Sequence, residues 1–107
     1  MRLLILGSDG FIGRHCVEFY LSTGNTVSGA DLFEQPSLDY CYYKISRLSS
    51  ELEEVLCQGS FDTIINAAGS GNVPYSMTHP LLDFEANCLD TIKVLEAIRK
   101  YCPSIKY

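Results

Sequence analysis

The chain has 107 residues, 47% hydrophobic and 20% charged, the composition of one globular domain rather than a disordered tail. Thirteen acidic residues against eight basic ones give a net charge of -5, which argues against nucleic acid and anionic membrane surfaces as partners. No apolar run reaches the roughly 18 residues of a spanning helix, and Leu3-Leu4-Ile5-Leu6 stops at Gly7, too soon for the apolar heart of a signal peptide.

Cys16, Cys41, Cys57, Cys88 and Cys102 are odd in number and scattered, with no C-x-x-C pair. They read as reduced thiols in a cytoplasmic chain, not as a disulfide frame or a metal site.

In chain order, Arg2–Leu6 is a continuous apolar run, as in a strand covered on both faces. The turn Gly7-Ser8-Asp9-Gly10 follows. Phe11 to Leu21 reads as a helix, with Ile12, Cys16, Phe19 and Tyr20 at helical spacing, ended by Gly24 and Asn25. Thr26–Ala30 is a second strand. Leu32–Asp39 is a polar connection with Pro36, and Tyr40–Ile45 a third strand. Ser50 and Glu53 form an S-x-x-E capping box opening a helix with Leu52, Val55 and Leu56 on one face, stopped by Gly59. Asp62–Ala67 is a fourth strand and Gly69–Thr78 a loop rich in Gly, Ser and Asn. Pro80 suits the first turn of a long helix, Leu81–Tyr101, whose axis is outlined by Leu82, Glu85, Leu89, Ile92, Leu95 and Ile98. Pro103 breaks it, and Ser104–Tyr107 begins one more strand. Strands alternating with helices imply a parallel sheet covered on both faces, and right-handed crossovers give the order 3-2-1-4.

Gly7-Ser8-Asp9-Gly10-Phe11-Ile12-Gly13 is a G-x-x-G-x-x-G between a predicted strand and a predicted helix. Gly7 permits a tight turn, Gly10 lets the backbone approach a pyrophosphate, and Gly13 lets helix and sheet pack closely. The helix start attracts the anion. Asp31 ends the second strand 18 residues past Gly13, where a carboxylate accepts hydrogen bonds from adenosine ribose hydroxyls. It repels a 2′-phosphate, so NAD is expected over NADP. Small residues in Asn66-Ala67-Ala68-Gly69 leave room for a ligand at the strand end, and serve helix–sheet packing equally well.

These segments, with Pro80-x-x-Asp83-Phe84-Glu85-x-Asn87-x-x-x-Thr91-x-x-x-Leu95-Glu96-Ala97, resemble extended short-chain dehydrogenase/reductases, and among them the NAD-dependent epimerase/dehydratase branch acting on nucleotide sugars. The resemblance covers essentially residues 1–107. It implies an α/β fold: a Rossmann-type three-layer domain, incomplete, with a partial fifth strand. It implies that Gly7, Gly10, Phe11, Ile12 and Gly13 wrap the NAD pyrophosphate, and that Asp31 and Leu32 hold the ribose. Ala67, Ala68 and Gly69 would line the cofactor, and Asn87 would support the architecture around it. The implied function is the NAD-binding portion of an enzyme that transfers hydride transiently to NAD while altering a nucleotide sugar. A non-catalytic dinucleotide-binding module and part of a nucleotide-sugar reductase are the alternatives.

The family's Tyr-x-x-x-Lys pair on the helix after the fifth strand is missing, so no catalytic residue is expected in this chain and the substrate-binding portion is expected elsewhere. Tyr40-x-x-x-Lys44 fits the pattern but lies beside the third strand, in the wrong part of the fold. Ser46 stands where the family usually has an adenine-contacting Asp, so a looser hold on adenine is expected. Asp90 replaces a common Gly.

His15 reads as a solvated helix residue and His79 as a loop or cap residue. Glu51, Glu53 and Glu54 read as an acidic first turn that complements the helix dipole. Self-association into a homo-oligomer is expected, through the edge of the fourth strand or through the long helix.

Overall fold

The computed structural model describes residues 1–46 and 50–107. Four parallel strands, β1 (Arg2–Leu6), β2 (Thr26–Asp31), β3 (Cys41–Lys44) and β4 (Thr63–Asn66), lie in the order β3-β2-β1-β4. That is the order the crossover rule predicts. The first connection runs through α1 (Phe11–Ser22), and the third and fourth strands are joined through α2 (Ser50–Gln58).

β1 sits at the centre because it is apolar on both sides. Leu3 and Ile5 pack with Val17 of α1 and Val27 on one face of the sheet. Leu4 and Leu6 pack on the other face with Leu52, Val55 and Leu56 of α2 and with Val94, Ala97 and Ile98 of the long helix. Alternate residues of one strand thus feed two separate cores, as the two-residue repeat of a strand requires.

Several sequence expectations need correction. Residues 69–78 are not all loop: α3 (Val73–Thr78) forms there, because Asn72 Oδ1 accepts the Tyr75 N–H at 3.0 Å and Pro74 suits a first turn. The long helix is not uniform. It runs as α4 (Pro80–Phe84), a π-helical turn (Glu85–Leu89) and α5 (Asp90–Tyr101), all in right-handed helical geometry. Its inward face is Val94, Ala97 and Ile98, whereas Leu82, Leu89, Ile92 and Leu95 are exposed. Similarly, α1 buries Gly13 and Val17 and exposes Ile12 and Phe19. The capping box is also revised. α2 starts at Ser50, so the position before it lies outside the described residues, and Glu53 Oε2 instead accepts the Tyr101 hydroxyl at 3.0 Å. Glu51 is likewise engaged, accepting from the Ser46 hydroxyl at 2.8 Å.

The outer edge of β4 is partly paired. Ile64 N–H donates to Lys106 O at 2.7 Å and Lys106 N–H to Asp62 O at 3.2 Å, with Thr63 and Lys106 in parallel register. The pairing is a single bridge at Lys106 rather than a strand over Ser104–Tyr107, and residues 103–104 form a turn. Among the described residues, no helix is long and apolar enough to cross a membrane.

Candidate functional site

The glycine turn, Asp31 and the run from Ala67 to Gly69 all lie at or just past the carboxyl ends of the strands. β1 ends in Leu6, and Gly7 turns the chain with φ +70, a conformation that costs a residue with a Cβ about 1–2 kcal/mol. Gly7 N–H donates to Ala30 O at 2.8 Å, and Gly10 N–H returns to Gly7 O at 3.1 Å. The turn is tight enough that a Cβ on Gly7 would stand 2.7 Å from Ala68 backbone atoms. A Cβ on Gly13 would stand 2.0 Å from Gly7 O. The first turn of α1 is thereby pressed onto the end of β1.

Gly10 caps α1 without a side-chain hydrogen bond, and the first turn holds no acidic residue. The backbone ladder begins with Arg14 N–H to Gly10 O at 2.9 Å. The N–H groups of Phe11, Ile12 and Gly13 therefore point out of the helix end, as the first donors of any helix do. Phe11 and Ile12 side chains are exposed beside them.

Asp31 closes β2 next to this loop. Its Oδ2 accepts the Asp9 N–H at 2.8 Å and its Oδ1 the Leu32 N–H at 2.7 Å. A carboxylate has about four acceptor positions, so two fixed bonds orient it and leave capacity for hydroxyl donors. Leu32 is exposed at the same edge.

The connection after β2 is latched to the glycine loop. Asp9 Oδ1 accepts from Ser37, from its N–H at 2.9 Å and from its hydroxyl in a shorter bond. Those bonds hold the Asp9 carboxyl below its usual pKa. The Tyr40 hydroxyl donates at 2.9 Å to Ser8 Oγ, and Ser8 is buried. Burial raises the Tyr40 pKa, as it does for Tyr42, pushed up to about 12 with help from the Asp31 and Asp9 charges. Tyr40 and Lys44 turn to different partners, Ser8 and Glu34, and do not form an acid–base pair.

β4 delivers the other side. Ala67 is half-buried and its N–H donates to Leu6 O at 2.9 Å. Ala68 and Gly69 are exposed past the strand end. Asn87, in the π-helical turn, hydrogen-bonds both backbone groups of Ser70.

Between these segments lies a half-open, mainly apolar cleft. Leu6, Gly7 and Ala68 come to it from β1 and β4, and Asp31, Leu32, Ile45 and Ser46 from the β2–β3 side. The remaining wall was not anticipated from sequence: Ala86, Asp90, Thr91 and Val94 of the helix. The four-residue spacing of 86, 90 and 94 was the signal available, since it puts them on one face.

His15 is exposed, with Nδ1 2.7 Å from Phe11 O. His79 caps α4 and stacks on Tyr75 at 4.5 Å. Neither lies at the cleft. All five cysteines are free thiols.

A parallel sheet with a glycine turn at the end of its central strand, and an acidic residue ending the neighbouring strand, defines a Rossmann-type dinucleotide-binding domain. The model of the NAD dependent epimerase/dehydratase family matches residues 3–106, and the chain belongs to that family. It is 31% identical over 108 residues to a UDP-glucose 4-epimerase of Lacticaseibacillus casei, covering 94% of this chain and 32% of the relative. It is 30% identical over 115 residues to a dTDP-glucose 4,6-dehydratase of Salmonella typhimurium, with 94% and 32% covered. A solved UDP-glucose 4-epimerase of Thermus thermophilus, in complex with NAD, superposes with a TM-score of 0.85 at 29% identity, over 94% of this chain and 34% of that one. The chain thus spans about one third of the length of the relatives it matches.

Proposed function

We propose that this chain is the NAD-holding part of a nucleotide-sugar epimerase or dehydratase. The observation that carries the reading is the Asp31 carboxylate, fixed by two backbone amides at the mouth of an apolar cleft and adjoining the Gly7–Gly13 turn. The outward N–H groups of Phe11, Ile12 and Gly13 suit a pyrophosphate. Asp31, with Leu32, suits the adenosine ribose. Ala67, Ala68 and Gly69 are small enough to let the cofactor cross the end of β4, and Asn87 fixes the loop that follows. NAD, when bound, takes up and returns a hydride. This chain's own residues bind and orient it.

The negative rim of Asp9 and Asp31 favours NAD, since a 2′-phosphate would meet two carboxylates. Relatives of the same family support the wider reading: one is a UDP-glucose 4-epimerase solved with NAD, and another, from Thermotoga maritima, a UDP-glucose 4-epimerase solved with UDP-glucose at 25% identity. The nucleotide sugar and the acid–base chemistry belong to the remaining two thirds of such proteins. The five free thiols support a reducing, cytoplasmic setting. The exposed Leu81, Phe84, Leu89, Ile92 and Leu95 support self-association through the long helix.

A calorimetric titration tests the cofactor reading. One equivalent of NAD should bind, and NADP at least about tenfold more weakly, a difference of about 1.4 kcal/mol. Preference for NADP, or binding of neither, overturns it.

A further inference from the structure

We propose that the Asp9 carboxylate occupies a latent phosphate site, formed beside Asp31 by the N–H and hydroxyl of Ser37, and that this occupation is what excludes NADP. This rests on the cofactor reading above, with the adenosine ribose at Asp31. Both carboxylates of the rim are negative, but only one of them fills the place where a 2′-phosphate would otherwise be held.

Asp9 is tied in two directions, one through its backbone and one through its side chain. Its N–H donates to Asp31 Oδ2 at 2.8 Å, so it adjoins the carboxylate that suits the ribose. Its Oδ1 accepts both donors of Ser37, the N–H at 2.9 Å and the hydroxyl in a shorter bond. These two bonds are the main cause of the lowered Asp9 pKa, and the Arg14 charge adds to them. An N–H and a hydroxyl converging on one anionic oxygen, with a guanidinium in electrostatic reach, is also the arrangement that suits a phosphate oxygen. Ser37 is held near the turn by more than Asp9. The Tyr40 hydroxyl donates to Ser8 Oγ at 2.9 Å and the Tyr42 hydroxyl to Phe33 O at 2.7 Å, which ties the connection down on both sides of Ser37. Gly29 makes room for the first of these, since a Cβ there would stand 2.4 Å from both Ser8 Oγ and the Tyr40 ring.

A carboxylate already in the site acts twice against a 2′-phosphate. It takes the donors, and its charge repels the incoming anion. A ribose hydroxyl brings no charge and needs only the remaining acceptor positions of Asp31. Asp31 repels a phosphate as well, but it leaves the Ser37 donors untouched. Without the Asp9 side chain, those donors would be presented to a phosphate on the 2′ oxygen.

Calorimetric titration of the 107-residue chain with NAD and with NADP, read as the ratio of the two affinities, tests the proposal. Asp9→Ala should raise the affinity for NADP relative to NAD by about tenfold or more over the unaltered chain. Asp9→Asn removes the charge but keeps an oxygen for the Ser37 donors, so its ratio should rise by less than about threefold. Asp9→Ala combined with Ser37→Ala, which lacks the hydroxyl donor, should also gain less than about threefold. Circular dichroism of each variant should match that of the unaltered chain. An unchanged ratio in Asp9→Ala, an equal rise in Asp9→Asn, or a rise that the double variant keeps in full overturns the latent site and leaves the cofactor reading standing. Failure of the unaltered chain to bind NAD at all overturns the cofactor reading, and this proposal with it.

Discussion

Asn87 holds Ser70 by both of its backbone groups: Oδ1 accepts the Ser70 N–H at 2.8 Å, and Nδ2 donates to Ser70 O at 3.0 Å. A side chain on the helix thereby pairs with the loop after β4 much as a strand neighbour would. Gly69 belongs to the same arrangement. Its φ is +151, and a Cβ there would stand 2.7 Å from Asn87 Oδ1.

Removing this clamp should loosen the loop without unfolding the sheet. Asn87→Ala loses two hydrogen bonds at a solvent-accessible site, for a cost of about 1–2 kcal/mol in urea unfolding. Amide exchange at Ser70 should accelerate, and NAD affinity should fall. Asn87→Asp keeps an acceptor for the Ser70 N–H but sets a carboxylate against the Ser70 carbonyl, so it should lie no closer to the unaltered chain than Asn87→Ala. Unchanged exchange at Ser70 in Asn87→Ala would contradict the clamp.

The contact of α1 with the glycine turn should be the less forgiving one. In Gly13→Ala the new methyl meets Gly7 O at 2.0 Å, a backbone atom that cannot move alone. A cost of about 3 kcal/mol or more is expected, with loss of NAD binding, because the helix must retreat from the turn. Gly71→Ala, where a Cβ meets open space, should change stability by less than about 0.5 kcal/mol. Similar unfolding midpoints for the two variants would refute the packing argument.

At the far end of the sheet, Asp62 clips β4 to β1. Its Oδ2 accepts the Arg2 backbone N–H at 2.8 Å, and its Oδ1 lies 2.9 Å from the Arg2 guanidinium. The guanidinium bond first, and then the backbone bond, hold the carboxyl at about 2, below its usual 3.8. A depressed pKa in the folded state means that the charged form is stabilised by folding. The contribution is complete above the unfolded pKa and is lost as pH falls from about 4 towards about 2. The urea midpoint of the unaltered chain should therefore exceed that of Asp62→Asn at about pH 6, and the gap should narrow steadily as pH falls from about 4 through about 2. A gap independent of pH would show that the carboxylate charge is not its source.

The parts of this fold most legible in the sequence were those governed by local patterns. The apolar run Leu3–Leu6 reads as a strand covered on both faces, and the spacing of Gly7, Gly13 and Asp31 puts them at the strand ends, where the structure has them. α3 was hidden because its Asn72 cap and Pro74 lie in a stretch whose composition reads as loop. The long helix misled for another reason. It has more apolar residues than one face can hold, and its π-helical turn inserts an extra residue that rotates the helical phase by about 100°. A single stripe drawn from Leu82 to Ile98 therefore cannot stay on one face, and the buried set at Val94, Ala97 and Ile98 is fixed by docking on α2 and the sheet. The latch of Ser37 on Asp9 and of Tyr40 on Ser8 joins positions 28 and 32 residues apart, and no local spacing reveals such a pairing.

The central claim is that NAD lies across the carboxyl ends of the strands, with its pyrophosphate on the glycine turn and its adenosine in the cleft. Backbone amide chemical shifts of the isotope-labelled chain, recorded through a titration with NAD, test it most directly. The largest changes should fall on Phe11, Ile12 and Gly13, on Asp31 and Leu32, and on the helix wall from Ala86 to Thr91. Changes confined to the opposite end of the sheet, at Arg2, Thr26 and Asp62, or no saturable change at all, would contradict the account.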